Sequence, residues 1–115
     1  MSFLDYFRQP EGLENLSPRE VQLAISDENT SIIDVRSDRE FSHGHIRGAK
    51  PCPLGRLDEY IPEIQKNKQV VLICATGHRS RAAAAKLLKS GFTKVSHLEG
   101  GMRSWVKAGN ETTNE

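Results

Sequence analysis

Long hydrophobic runs are missing from this 115-residue chain. None of its apolar stretches approaches the ~20 residues that cross a bilayer. The start, Met1 to Pro10, also lacks the continuous apolar segment of a signal peptide, so the expected location is cytoplasmic. Charge of one sign is lacking as well, since 16 basic and 15 acidic residues leave a net charge of +1. That balance gives no long-range pull toward nucleic acid or an anionic membrane, and neither is an expected partner. Any anion must be recognised locally. Cysteine is scarce: Cys52 and Cys74 form no C-x-x-C pair, and no His or Cys spacing matches a zinc site. Neither a disulfide nor a metal is expected.

What remains is enough for one domain with one core. Residues 1–12 show no period and read as an N-terminal extension. Residues 13–109 carry the domain, and 110–115 form a polar tail. Both ends are expected to be loosely held.

Within the domain, Leu13 to Leu16 is a small first strand. Ser17-Pro18-Arg19-Glu20 is a capping box with proline at the first helical position, predicting a helix to about Ser26. Ser31 to Val35 reads as a buried strand. Ser37-Asp38-Arg39-Glu40 is a second cap, opening a short helix that Gly44 stops. Only a brief extended segment fits between Ile46 and Pro53. Leu57, Tyr60, Ile61 and Ile64 predict a helix over 54–66 that Pro62 kinks or divides. Val70 to Ile73 is the central strand, followed by a helix over 80–90 ending in a Schellman motif at Gly91, with Phe92 folded back on Leu87. Val95 to Leu98 is the last strand, and Gly100-Gly101 turns the chain into a helix containing Trp105. Strands alternating with helices imply an α/β fold with a mainly parallel sheet covered on both faces. Ligands in such sheets bind beyond the carboxyl ends of the strands.

Cys74 lies at such an end. The segment Cys74-Ala75-Thr76-Gly77-His78-Arg79-Ser80 joins the central strand to an alanine-rich helix. Its backbone N–H groups and the helix N-terminus present positive potential to the sulfur and favour a thiolate. No proline interrupts Ala75 to Ser80, so every amide is a donor. The same donors would hold an anionic persulfide, as a ping-pong sulfur carrier requires.

This loop, with Asp34-Val35-Arg36, Glu40-Phe41, Gly44-His45-Ile46, Gly48-Ala49, Gly91-Phe92 and Leu98-Glu99-Gly100-Gly101 plus Trp105, resembles the single-domain rhodaneses (thiosulfate sulfurtransferase-like). The resemblance covers about residues 13–109. It implies a five-stranded, mainly parallel sheet and Cys74 as a persulfide carrier. It also implies a cradle made by Ala75, Thr76, Gly77, His78, Arg79 and the Ser80 amide, and no metal or organic cofactor. The implied function is transfer of sulfane sulfur from thiosulfate or a persulfide to cyanide or a thiol. Partners would be small sulfur-containing anions, and a donor or acceptor protein such as a desulfurase or thioredoxin. Asp34 and Arg36 would buttress the loop.

Two other readings stand beside it. One is a non-catalytic binding or regulatory module on the same fold. The other is a cysteine phosphatase or arsenate reductase, which the spacing disfavours: Cys74 and Arg79 are five positions apart, one residue short of a phosphate loop. His78 and Thr76 are expected to point outward as rim residues. His43 and His45 read as turn residues, Ser80 as a helix N-cap and Arg79 as an anion-site residue. Cys52 reads as a half-buried spectator or a resolving thiol.

Overall fold

A computed structural model describes residues 3–115. Its strands are β1 (Leu13–Leu16), β2 (Thr30–Asp34), β3 (Lys50–Pro51), β4 (Gln69–Ile73) and β5 (Val95–Leu98). The helices are α1 (Pro18–Ala24), α2 (Asp38–Ser42), α3 (Leu57–Tyr60), α4 (His78–Lys89) and α5 (Gly101–Lys107). The five strands form one sheet in the order β1-β5-β4-β2-β3, and every pairing is parallel. Among the described residues no helix is long and apolar enough to cross a membrane.

The alternation of β4 explains why both faces are covered. Val70 and Leu72 pack on one side with Leu57, Ala83, Ala84 and Leu87, under α3 and α4. Val71 and Ile73 pack on the other with Val21, Met102 and Trp105, under α1 and α5. A central parallel strand buried on both sides needs a continuous apolar run, and 70–73 supplies it. The end of β4 is thereby held rigidly at the top of the sheet.

The local signals behave as their chemistry dictates. Both capping boxes form: Ser17 and Ser37 accept from the N3 amides of Glu20 and Glu40, whose carboxylates accept in return. At the end of α4, Gly91 takes φ 95°. Its N–H donates to the Leu88 carbonyl and that of Phe92 to the Leu87 carbonyl, the expected Schellman pair. The segment around Pro62 is divided, with 3-10 turns at Leu54–Arg56 and Ile61–Glu63 flanking the single turn of α3.

Three expectations need correction. Helix α4 begins at His78 rather than Ser80, because Gly77 at φ 103° turns the chain into the helix directly. Ser80 is therefore the third helical residue, not the cap. The N-terminal extension is not featureless: Phe3–Tyr6 forms a 3-10 turn against α4, and the Phe7 ring lies 5.4 Å from that of His78. Residues 1 and 2 of that extension lie outside the described residues. The polar tail is pinned as well. Thr113 and His45 exchange both backbone hydrogen bonds at 2.9 Å, and the Trp105 indole donates to the Glu111 carbonyl at 2.9 Å. Polarity alone suggested a free tail, but backbone groups bond whatever side chains they carry.

Deleting residues 110–115 should therefore lower the unfolding free energy by about 1–3 kcal/mol, since it strands the buried Trp105 N–H and two His45 backbone groups. Urea titration of the shortened and full chains measures this. Equal midpoints would mean the tail contributes nothing.

Candidate functional site around Cys74

Parallel β-strands end where their backbone groups must find new partners, and β4 finds them in α5. The N–H of Met102 donates to the Cys74 carbonyl at 2.7 Å and that of Arg103 to the Ala75 carbonyl at 3.0 Å. This approach requires Gly101, which sits at φ 61° and whose Cβ, were one present, would collide with the backbone of Cys74 and Ala75. Sequence reading took Gly100-Gly101 as a turn. In the structure the second glycine is what lets α5 grip the loop.

The loop then folds over the sulfur. The Gly77 N–H donates to Cys74 Sγ at 2.9 Å, and Ser80 Oγ lies 3.4 Å from the same atom. Cys74 is only 1% exposed and Ser80 fully buried. Among the described residues one loop amide, that of Gly77, reaches Sγ in this state. The amides of His78, Arg79 and Ser80 open α4 and have no carbonyl partner within a helix, as the first turn always leaves them.

The remaining predicted residues fall into distinct places. Thr76 and His78 stand on the exposed rim, 3.4 Å apart between Oγ1 and Nδ1. Arg79 departs from the expected anion-site role. Its guanidinium forks onto Glu40 at 2.6 and 2.9 Å, which ties α4 to α2. The bond to Arg79 is the main reason the Glu40 carboxyl is held down at about 2. A bidentate carboxylate satisfies the fork that an anion would otherwise use.

Asp34 and Arg36 form a buried pair, with Arg36 Nη2 2.8 Å from Asp34 Oδ2 and 2.8 Å from the Gly44 carbonyl. They fasten the turn that follows α2, and Asp34 lies opposite Ile73, the last residue of β4 before the loop. His43 and His45 bond the carbonyls of Arg39 and Phe41 through Nδ1 at 2.6 and 2.8 Å, as turn residues do. Among the described residues no cluster of three His, Cys, Asp or Glu side chains could hold a metal ion. Cys52 is 3% exposed, and burial pushes its thiol up to about 11.

Two residues near the site were not singled out from sequence. His97, on β5, is fully buried and lies 2.7 Å through Nδ1 from Ser80 Oγ. Its Nε2 lies 2.8 Å from Asn15 Oδ1 on β1. Burial, with help from the nearby Arg81 charge, pushes the imidazole down from 6.5 to about 4, so the ring is neutral. The signal was a lone histidine in an apolar strand, which does not disclose its partners.

Two predictions follow from this geometry. Gly101→Ala should cost more than about 3 kcal/mol or prevent folding, because backbone must move. Gly48→Ala, at φ 88° with open space around it, should cost only about 1–2 kcal/mol of conformational strain. Thermal melts of both variants test the contrast, and similar losses would refute the close approach. The second concerns His97. Between 6.5 and about 4 the unfolded chain binds a proton that the folded chain refuses. Its contribution to stability is thus complete above 6.5 and declines as pH falls toward 4. Urea unfolding should show a drop of about 2 kcal/mol from about pH 7 to about pH 5 that His97→Asn largely removes. The Glu40 contribution fades lower, between 4.5 and about 2.

Comparison with known proteins identifies the domain as a whole. Residues 17–108 match the Rhodanese-like domain family. A putative sulfur carrier protein, YrkF, of Bacillus subtilis is 40% identical over 85 residues, covering 74% of this chain and 46% of that protein. The tRNA uridine(34) hydroxylase of Staphylococcus carnosus is 39% identical over 98 residues, covering 80% of this chain and 31% of that protein. The chain thus spans less than half the length of these relatives. The crystal structure of a thiosulfate sulfurtransferase from Pseudomonas aeruginosa superposes with a TM-score of 0.79 at 26% identity, over 88% of this chain and 20% of that one. The parallel five-stranded sheet, the cysteine-ended central strand and this match together make the chain a member of the rhodanese-like domain family.

Proposed function

We propose that this domain is a sulfurtransferase in which Cys74 carries sulfane sulfur as a persulfide. The observation that carries the reading is the Gly77 N–H donating to Cys74 Sγ at 2.9 Å from a five-residue-spaced loop at a strand's carboxyl end. In the first half-reaction the Cys74 thiolate attacks the outer sulfur of thiosulfate. A Cys74–sulfur bond forms, the donor's sulfur–sulfur bond breaks, and sulfite leaves with the electron pair. In the second, cyanide or an acceptor thiolate attacks that outer sulfur and the Cys74 thiolate departs. No net oxidant or reductant is needed.

The residue types fit these roles. Loop amides that lack carbonyl partners suit the extra negative charge of an outer sulfur, as helix N-termini suit anions generally. Arg79 serves the loop as a brace through Glu40 rather than as a hand for the anion. With that fork occupied, recognition falls to backbone donors, which favours one sulfur over a tetrahedral phosphate. The exposed Thr76 and His78 are the residues a donor or acceptor meets first. A low-molecular-weight persulfide, a desulfurase or a thioredoxin-type thiol are the partner classes this rim would serve.

Incubation with thiosulfate followed by intact mass measurement tests the reading. The expected result is gain of one sulfur atom that cyanide removes. Cys74→Ser should gain none, and Cys52→Ser should gain it as the parent does, because a thiol held at about 11 is a poor nucleophile near neutrality. No gain with thiosulfate or any small persulfide would favour a binding module without turnover.

A further inference from the structure

Behind the sulfur runs a chain of hydrogen bonds whose direction is fixed from its far end. Gln9 Nε2 lies 2.9 Å from the Leu13 carbonyl oxygen, and a carbonyl only accepts, so the amide nitrogen must face it. The same nitrogen lies 3.1 Å from the Asn15 side chain, which therefore presents its oxygen. That oxygen accepts, so His97 Nε2 at 2.8 Å must carry a hydrogen. The register of β1 against β5, with Asn15 opposite His97, brings the two together.

In a neutral imidazole only one nitrogen is protonated, so Nδ1 is a bare acceptor. The Ser80 hydroxyl, 2.7 Å away, must donate to it. A hydroxyl has one hydrogen. Ser80 Oγ thus turns only lone pairs toward Cys74 Sγ at 3.4 Å, and the thiol hydrogen points at Oγ. The Gly77 carbonyl, 3.0 Å from the same oxygen, is supplied instead by Arg81 Nη1 at 3.2 Å. Arg81 is also the charge that, with burial, keeps His97 neutral.

We propose that Asn15 and His97 are positioning residues for Cys74: by claiming the Ser80 hydrogen they make Ser80 an acceptor toward the sulfur and restrain ionisation of the resting thiol. The inference rests on Cys74 being the reactive sulfur and concerns how its reactivity is set. Release of the restraint frees the Ser80 hydroxyl to turn and donate to a thiolate. The sulfur then has two donors, Gly77 N–H and Ser80 O–H, where the resting state has one donor and one acceptor. As the thiolate forms, the thiol proton passes to solvent, the hydroxyl rotates, and the imidazole exchanges its Nε2 hydrogen for one on Nδ1.

Nitrogen-resolved NMR of the imidazole in the parent protein should find His97 neutral with its hydrogen on Nε2. Asn15→Leu removes the acceptor, so the hydrogen should move toward Nδ1. Alkylation of Cys74 by iodoacetamide at about pH 7 should then speed up by about three- to tenfold, the worth of one reoriented hydrogen bond. Ser80→Ala removes the acceptor at sulfur and should not slow the reaction. A hydrogen on Nδ1 in the parent, or slower alkylation in Asn15→Leu or Ser80→Ala, would overturn the proposal by showing that Ser80 donates to the sulfur. The tautomer is read on the parent, so a variant that fails to fold leaves that test intact. None of these readouts uses a sulfur donor, so failure of sulfur transfer itself would be seen separately.

Discussion

Two hydrogen bonds from the start of α5, to the carbonyls of Cys74 and Ala75, set the orientation of the loop on which the site depends. In a trans peptide the C=O and the next N–H point in opposite directions. Turning the Cys74 and Ala75 carbonyls toward α5 therefore turns the Ala75 and Thr76 N–H groups away from it. Gly77 then reverses the chain at φ 103°, bringing its own N–H onto the sulfur and leaving the next amides to open α4. A loop of donors is the consequence of where its acceptors are spent. Gly101 is the condition for this arrangement, because any Cβ there would occupy the space of the loop backbone.

A second layer holds the loop from outside. Glu40 accepts from the Ser37 amide and hydroxyl and from Arg79, so one carboxylate both caps α2 and anchors the first turn of α4. Arg36, buried against Asp34, grips the Gly44 carbonyl just beyond α2 and keeps that helix in place. Removing either partner of such a buried pair leaves a charge uncompensated, which costs more than the pair itself contributes. The network also neutralises Arg79. A site with a free guanidinium would attract phosphate; one whose cation is already matched must rely on backbone dipoles.

Legibility in the sequence followed the range of each interaction. Caps at Ser17 and Ser37, the Gly91 stop, the apolar run at 70–73 and the division at Pro62 are decided within a few residues, and the sequence discloses them. The sequence also placed Cys74 at the end of the central strand and its loop before α4. The start of α4 was misjudged because a left-handed glycine can replace a side-chain cap, and Ser80 looked like the better one. Arg79's partner lies 39 residues away, and Asn15 meets His97 across 82. Such pairs exist only once the strand order is known. The pinned tail was missed for a related reason: its contacts use backbone atoms, which carry no signature of residue type.

The two cysteines show how little burial alone decides. Cys52 follows β3 and Cys74 follows β4, and they are 3% and 1% exposed. Around Cys52, desolvation outweighs the Arg56 charge and the thiol is pushed up to about 11. Its backbone N–H is spent on the Asp34 carbonyl, continuing the ladder, and among the described residues no amide donates to its sulfur. Cys74 instead ends a strand whose chain must reverse over it, so the Gly77 amide falls 2.9 Å from Sγ. The Ser80 hydroxyl adds a second polar contact whose sense His97 controls. A buried sulfur thus gains a backbone donor only where the chain turns back on it, and under the arrangement proposed for Asn15 and His97 the direction of one hydroxyl hydrogen sets its second contact.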